Sequence, residues 1–309
     1  MALRFTVLAS GSAGNASLVE TDGFGVLLDA GLGPRVLAAR LAAVGASWQS
    51  IHAAILTHTH TDHWNERTFA HLHRRGVPVY CHPEHHDALE PYSATFGALC
   101  AAGLVNPYEE NVDLTLTPGL VCRPLPLRHD GVATFGFRFE GAPDLFGSSC
   151  ALGYAADLGC WDAALLESLG DVDLLALEFN HDVAMEYASG RQPRLIARVL
   201  GDDGHLSNEQ AAALLREVLC RSSPGRLKHV VQLHLSRDCN RLELAVAAAQ
   251  TVLAELRASI ELRTARQDEP CSTIHVGGTA GPRADRPRSR KSRREAACVP
   301  PSLPGLEGV

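Results

Sequence analysis

Short apolar runs broken by turn chemistry open the chain. Phe5 to Ala9, Ala16 to Glu20 and Val26 to Leu28 are separated by Gly11-Ser12-Ala13-Gly14-Asn15 and by Asp22-Gly23-Phe24-Gly25, a pattern that predicts a β-meander. From Arg35 to Val44 the period changes: Val36, Leu37, Leu41 and Val44 fall on one face, which predicts a helix closed by Gly45. A strand over Ala53 to Leu56, a helix near Asn65 to Arg75 and a strand over Val77 to Tyr80 follow, and the stretch from there to Tyr108 carries no clear period. Beyond it, strands are predicted at Asp113 to Leu127, Thr134 to Phe139, Cys150 to Ala156, Val172 to Leu177 and His229 to Leu235. Helices are predicted over Asp162 to Leu169, Pro193 to Leu200, Ser207 to Leu219 and Arg241 to Ala258. Two β-rich stretches, each followed by helices, suit a duplicated α/β sandwich.

Near Gly277 the pattern stops. Residues 278–309 are rich in Pro, Gly, Ser and Arg without apolar periodicity, so a folded domain over 1–277 and a disordered basic tail are expected. At 46% hydrophobic and 20% charged, the body has the composition of a protein with a full core. No apolar run approaches the length of a membrane span, and the opening strand lacks the form of a secretory signal, so a cytoplasmic protein with no membrane partner is expected. Nine cysteines, odd in number and without a Cys-x-x-Cys, indicate neither a disulfide framework nor a thiolate zinc ribbon. Seven basic residues against three acidic from Gly281 onward leave 21 of the 28 basic and 32 of the 35 acidic residues in the body, a net of -11. Such a body argues against broad nucleic-acid affinity; any basic patch must be local.

The chemistry is concentrated behind the strand Ala53 to Leu56, in Thr57-His58-Thr59-His60-Thr61-Asp62-His63. In an extended segment side chains alternate, so His58 and His60 point the same way and can hold one ion, while Asp62 and His63 turn towards a second. With 15 histidines in 309 residues a His-x-His pair alone would carry little, but four donors at this spacing after a buried strand predict a two-metal site.

These residues resemble the metallo-β-lactamase superfamily over roughly residues 3–276, and the resemblance implies an α/β fold, the αββα four-layer sandwich. It implies further site residues: Asp29 in Leu27-Leu28-Asp29-Ala30-Gly31, more a support for the histidine loop than a ligand; His129 after Leu125-Pro126-Leu127-Arg128; a bridging Asp157 in Tyr154-Ala155-Ala156-Asp157; and His234 after Val230-Val231-Gln232-Leu233. His205 is a rival for the last position, since His205 and His234 are both followed by Leu-Ser. His234 ends a clean strand whereas His205 follows the turn Gly201-Asp202-Asp203-Gly204, so His234 is preferred and His205 becomes a candidate for proton transfer or substrate contact. A narrower resemblance is to the WalJ/YycJ-type branch, proposed as DNA 5′-exonucleases. It rests on Leu8 to Asn15, Glu178-Phe179-Asn180-His181-Asp182, Gly204-His205-Leu206-Ser207-Asn208, and His234-Leu235-Ser236 followed by Asn240. The chain departs from that branch at Trp64-Asn65-Glu66, where a Gly is usual, and at Cys239-Asn240, where paired asparagines are usual.

The resemblance implies one ion on His58, His60 and His129 and another on Asp62, His63 and His234, with Asp157 between them. Zn²⁺ is the expected metal, and Mn²⁺ or Fe²⁺ suit the same donors. A hydroxide bridging the ions would then attack a phosphodiester of DNA, with Asp62, His181 and His205 as catalytic candidates. Asn180 and the arginines Arg191, Arg194 and Arg198, spaced to share a helix face, are candidate substrate contacts. The turn at Ser10 to Asn15 could offer backbone N–H groups to phosphate, although it is more simply a hairpin turn. Hydrolysis of a thioester, lactone or cyclic phosphodiester is the alternative on the same site. Diiron redox members of the superfamily usually carry Glu at the position of His60, which counts against that class, and a complete ligand set in an acidic body counts against a non-catalytic nucleic-acid module. The sequence leaves the oligomeric state open.

Overall fold

The computed structural model describes residues 3–143 and 149–277; the basic tail inferred from composition, 278–309, lies outside them. The described residues form one compact unit. A first sheet combines β1 (Leu3–Ala9), β2 (Ala16–Thr21), β3 (Phe24–Leu28), β4 (Ala53–Ile55), β5 (Val79–Cys81), β6 (Val105–Pro107) and β14 (Ile274–Val276), in the order β14-β1-β2-β3-β4-β5-β6. The second comprises β7 (Leu114–Thr117), β8 (Leu120–Leu127), β9 (Thr134–Gly141), β10 (Ala151–Ala155), β11 (Leu174–Glu178), β12 (His229–Leu233) and β13 (Glu261–Thr264), in the order β13-β12-β11-β10-β9-β8-β7.

Apolar residues on both faces of these strands explain the near-continuous hydrophobic runs. Alternate residues meet between the sheets: Phe5, Val7, Val26, Leu28 and Ile55 share one cluster with Phe135, Phe137, Phe139, Leu152 and Tyr154. The intervening residues face outward under helices. Leu27, Ala54 and Leu56 pack with Leu37 and Leu41 of α1 (Pro34–Ala43) and Phe69 and Leu72 of α2 (Glu66–Arg75). On the other side Leu175, Leu177 and Val230 pack beneath α5 (Ala163–Leu169), α8 (Asn208–Arg221) and α9 (Leu242–Glu255). The result is the expected αββα arrangement.

Several elements differ from the sequence expectation. Asp113 to Leu127 is two antiparallel strands, because Pro118-Gly119 turns the chain back. The aperiodic stretch before Tyr108 holds α3 (Pro83–Leu89) and α4 (Ala94–Ala101), too short to establish a period. α6 (Val183–Ala188) and the strands β6, β13 and β14 also went unpredicted. Among the described residues no helix is long and apolar enough to cross a membrane.

α3 has a positioning role: His85 Nε2 donates to the Ala133 carbonyl (2.6 Å), in the loop that follows His129, while its Nδ1 accepts from the His82 amide (3.3 Å). Both nitrogens are therefore satisfied in the neutral ring. Burial pushes the imidazole down to about 4 from 6.5, against the opposing pull of the Ala133 carbonyl. Because the folded value lies below the unfolded one, this contribution to stability is full above pH 6.5 and is lost as pH falls towards 4. Urea titrations of metal-free protein at pH 7 and pH 4 should show wild type losing up to about 3 kcal/mol more than His85→Gln. Equal losses would refute the assignment.

Candidate metal centre

Strands β3, β4, β5 and β6 run parallel, as do β10, β11, β12 and β13, so the carboxyl ends in each set open on one edge. Asp29, Thr57 and His58 follow β3 and β4; Asp157, Glu178 and His234 end or follow β10, β11 and β12; His129 follows β8. Ligand sites in open α/β sheets form at such carboxyl ends. Asp29, Asp157 and His234 all adopt left-handed backbone conformations, with φ of 62°, 61° and 55°. Such a residue turns the chain sharply where the strand stops, and its cost of order 1–3 kcal/mol is borne by the surrounding fold.

Asp29 organises the histidine loop from within the core. Its carboxylate accepts from the Thr57 amide (2.8 Å) and from His63 Nδ1 (2.7 Å), and Thr57 Oγ1 lies 2.9 Å from His58 Nδ1. With Nδ1 committed, His63 presents Nε2 to Asp157 Oδ2 at 3.2 Å and to Asp62 Oδ2 at 3.6 Å. Asn15 Nδ2 lies 3.1 Å from the same Asp62 oxygen and 2.9 Å from His63 Nε2. The Asn15 amide donates to the Asp62 carbonyl (2.7 Å). Gly31 packs on that carbonyl so closely that a β-carbon would overlap it, which explains the glycine after Asp29-Ala30. The turn Ser10 to Asn15 thus braces the metal loop, and Ser10 Oγ accepts from the His234 amide (2.8 Å).

Two donor groups result. Nitrogens of His58, His60 and His129 lie within 4.8 Å of one another, and so do donor atoms of Asp62, His63 and His234. Asp157 belongs with His58 and His63 in a third such group, and therefore stands between the first two. His129 Nδ1 donates to the Gly204 carbonyl (2.8 Å), which leaves its Nε2 as a lone pair 3.3 Å from His60 Nδ1. His58 Nε2, His234 Nε2 and Asp157 Oδ2 are buried without an aligned hydrogen-bond partner. Buried donors left in this way and converging from different strands fit a divalent cation.

Electrostatics agree with that fit. Burial, then the charge of His63, drives His58 well below the ordinary imidazole range; burial and His129 lower His60. Burial alone would raise Asp157, but the imidazoles of His234 and His63 outweigh it and hold the carboxyl well below its usual value. The converse holds for His63, which burial would lower but which Asp29 and Asp157 raise to about 10. His234 is likewise lifted against burial, chiefly by Asp157. Asp62 is lowered, burial being outweighed by the neighbouring imidazoles of His234 and His63. Cation binding to these imidazoles must release protons.

His205 and His234 differ in orientation. His234 Nε2 faces Asp62 Oδ2 (3.6 Å) within the second donor group, whereas His205 Nδ1 is bound to Glu178 Oε1 (2.8 Å) and groups instead with Asp157, Glu178 and His234, whose donor atoms also lie within 4.8 Å of one another. The His205 ring stands between His129 and His234, with centroids 4.8 and 5.2 Å away. Glu178 was quoted in the sequence motif without a role. It is fully buried, and its carboxylate also accepts from His234 Nδ1 (3.0 Å) and the amides of Leu158 (3.1 Å) and Leu206 (3.2 Å). Burial would raise it, but the charge and hydrogen bond of His205 dominate and hold it at about 2.

The remaining candidates separate. Asn180 Nδ2 donates to the His234 carbonyl (2.8 Å), which braces the loop that carries His234. Asn240, beside Cys239, forms a reciprocal amide pair with Asn208 at the start of α8 (2.9 and 3.0 Å). His181 is buried with neither nitrogen hydrogen-bonded and joins none of the donor groups. The arginine face is corrected. α7 (Pro193–Leu200) begins after Arg191, which pairs with Glu186 and Asp238, and Arg198 is engaged by Asp130. Arg194 alone of the three lacks an acidic partner among the described residues. Asp130, missed in the sequence, lies 3.4–3.5 Å from His129 and His60. Trp64 occupies the expected glycine position, donating to the Thr59 carbonyl (2.9 Å) and stacking on Phe69.

The sequence profile of the Beta-lactamase superfamily domain matches residues 25–223, spanning Asp29, the histidine loop, His129, Asp157 and His205. The chain belongs to the β-lactamase superfamily. Within it, the exodeoxyribonuclease WalJ of Streptococcus pneumoniae is 29% identical over 256 residues, 82% of this chain and 88% of that protein. The exodeoxyribonuclease YycJ of Bacillus anthracis is 28% identical over 263 residues, 82% and 90% of the two chains. The metallo-β-lactamase fold protein YhfI of Bacillus subtilis superposes with a TM-score of 0.60 at 17% identity, covering 89% of this chain and 100% of that one. With the superfamily fold go the His and Asp clusters described above, which form a divalent-metal site.

Proposed function

We propose that the protein is a metal-dependent phosphodiesterase that removes nucleotides from the 5′ end of DNA in the cytoplasm, using two divalent ions, Zn²⁺ foremost. The observation that carries this reading is the pairing of two three-donor groups through Asp157, with the His205–Glu178 pair at their edge. The exodeoxyribonuclease names of its relatives support the DNA substrate. His58, His60 and His129 would hold one ion, Asp62, His63 and His234 the other, and Asp157 both. Two ions so held supply an activated water and polarise the phosphate.

The chain's own residues do the rest. Asp29 and Thr57 fix the rings of His63 and His58, and Asn15 keeps Asp62 turned to the second donor group. Glu178 fixes the His205 ring through Nδ1. The other ring nitrogen of His205 can then deliver a proton to the leaving oxygen. His181 remains a further candidate for catalysis and Arg194 for substrate contact.

Incubation of metal-reconstituted protein with 5′-labelled single- and double-stranded DNA tests the reading, and labelled mononucleotides should appear first. Absence of cleavage with Zn²⁺ or Mn²⁺, together with turnover of a thioester, lactone or cyclic phosphodiester, would replace it with the small-molecule reading.

A further inference from the structure

A cleft of about 620 Å³ lies between the start of α1 and the outer face of α2, and three of its lining residues are Arg35, Arg67 and Arg74. Arg67, Ala70 and Arg74 follow one another at i, i+3 and i+7, so the two guanidinium groups of α2 share a face with a small residue between them. Arg35 enters from the first turn of α1. All three are exposed, and among the described residues none of their guanidinium groups has a hydrogen bond or a carboxylate partner. Elsewhere Arg128, Arg191, Arg198 and Arg237 are each neutralised by Asp or Glu. Three uncompensated cations in one cleft repel one another, and in a body of net negative charge they make a local site for a polyanion.

The cleft is built on the segments that hold the metal donors. α1 follows Asp29 through Gly31, which packs on the Asp62 carbonyl, and α2 is capped by Asn65, two residues beyond His63. The Ala30 amide donates to the His63 carbonyl (2.8 Å), and Thr68 Oγ1 to the Leu32 carbonyl (2.6 Å), which locks the two segments together. At 1.5 Å per helical residue, Arg67 and Arg74 are about 10 Å apart along α2, close to the rise of three base pairs at about 3.4 Å each along a DNA duplex axis, so they would meet different phosphates. We propose that this α1/α2 cleft is a docking track for the sugar-phosphate backbone of DNA, with Arg35, Arg67 and Arg74 as its phosphate contacts. The proposal rests on the nuclease reading and adds the path by which a strand leaves the metals.

The test measures binding of the metal-loaded full chain to a fluorescent DNA oligonucleotide with cleavage-resistant phosphorothioate linkages, by anisotropy across a salt series. Wild type is compared with the triple variant Arg35→Gln/Arg67→Gln/Arg74→Gln and with Arg216→Gln/Arg221→Gln/Arg237→Gln, which removes the same charge elsewhere. The cleft variant should reduce the slope of log affinity against log salt by about 2–3, each single variant by about 1, and the control by much less. Melting temperatures verify that every variant is folded. Equal slopes for the cleft variant and wild type, or equal reductions in both triple variants, overturn the cleft while leaving the nuclease reading intact. Failure of wild type both to bind and to cleave DNA overturns the two together.

Discussion

Asp157→Ala should abolish DNA hydrolysis, lowering kcat/KM by at least about 10³, since a metal pair contributes several kcal/mol to charge stabilisation in such reactions. Its position accounts for the size of the effect. Oδ1 lies 3.1 Å from His234 Nδ1 and Oδ2 3.2 Å from His63 Nε2, and the residue is buried at a strand end. Metal per chain, measured by elemental analysis after dialysis, should fall below two. A variant that retains two ions and wild-type turnover would show that Asp157 does not join the two donor groups.

His205→Ala should behave differently: kcat falls by about 10²–10³, the usual worth of general acid catalysis, while metal content stays at the wild-type level. The distinction follows from the commitment of His205 Nδ1 to Glu178. A substrate with a p-nitrophenolate leaving group needs no proton, so on it the same variant should lose only a few-fold. Glu178→Gln should cost about 10–100-fold, the range for a residue that orients another, because its N–H would face His205 Nδ1. Loss of metal from His205→Ala would make His205 a ligand, and equal losses on both substrates would remove it from proton transfer.

Both experiments bear on residues of unequal legibility in the sequence. The histidine loop was readable because a short segment determines its own alternation, and His58, His60, Asp62 and His63 all take part in donor groups within 4.8 Å. The strands were readable from their apolar runs, since sheets covered on both faces must be apolar throughout. Asp113 to Leu127 misled because apolar residues continue through a two-residue turn. The arginine spacing misled for a related reason: periodicity gives a face but not the helix start, nor the carboxylates that already occupy it.

By itself the sequence determined the apolar strands and the histidine loop behind one of them, because each depends on the order of residues within a few positions, whereas the sandwich layers and the further donors at strand ends were implied by resemblance to the superfamily. Only the tertiary structure decided that His234 faces Asp62, that Glu178 secures His205, that Asn15 braces Asp62, and that three arginines share a cleft without a counter-charge. Those relations join residues distant in the chain. Their physical basis is the direction of each lone pair and the presence or absence of a partner in a crowded interior, which no local pattern of apolar and polar positions encodes.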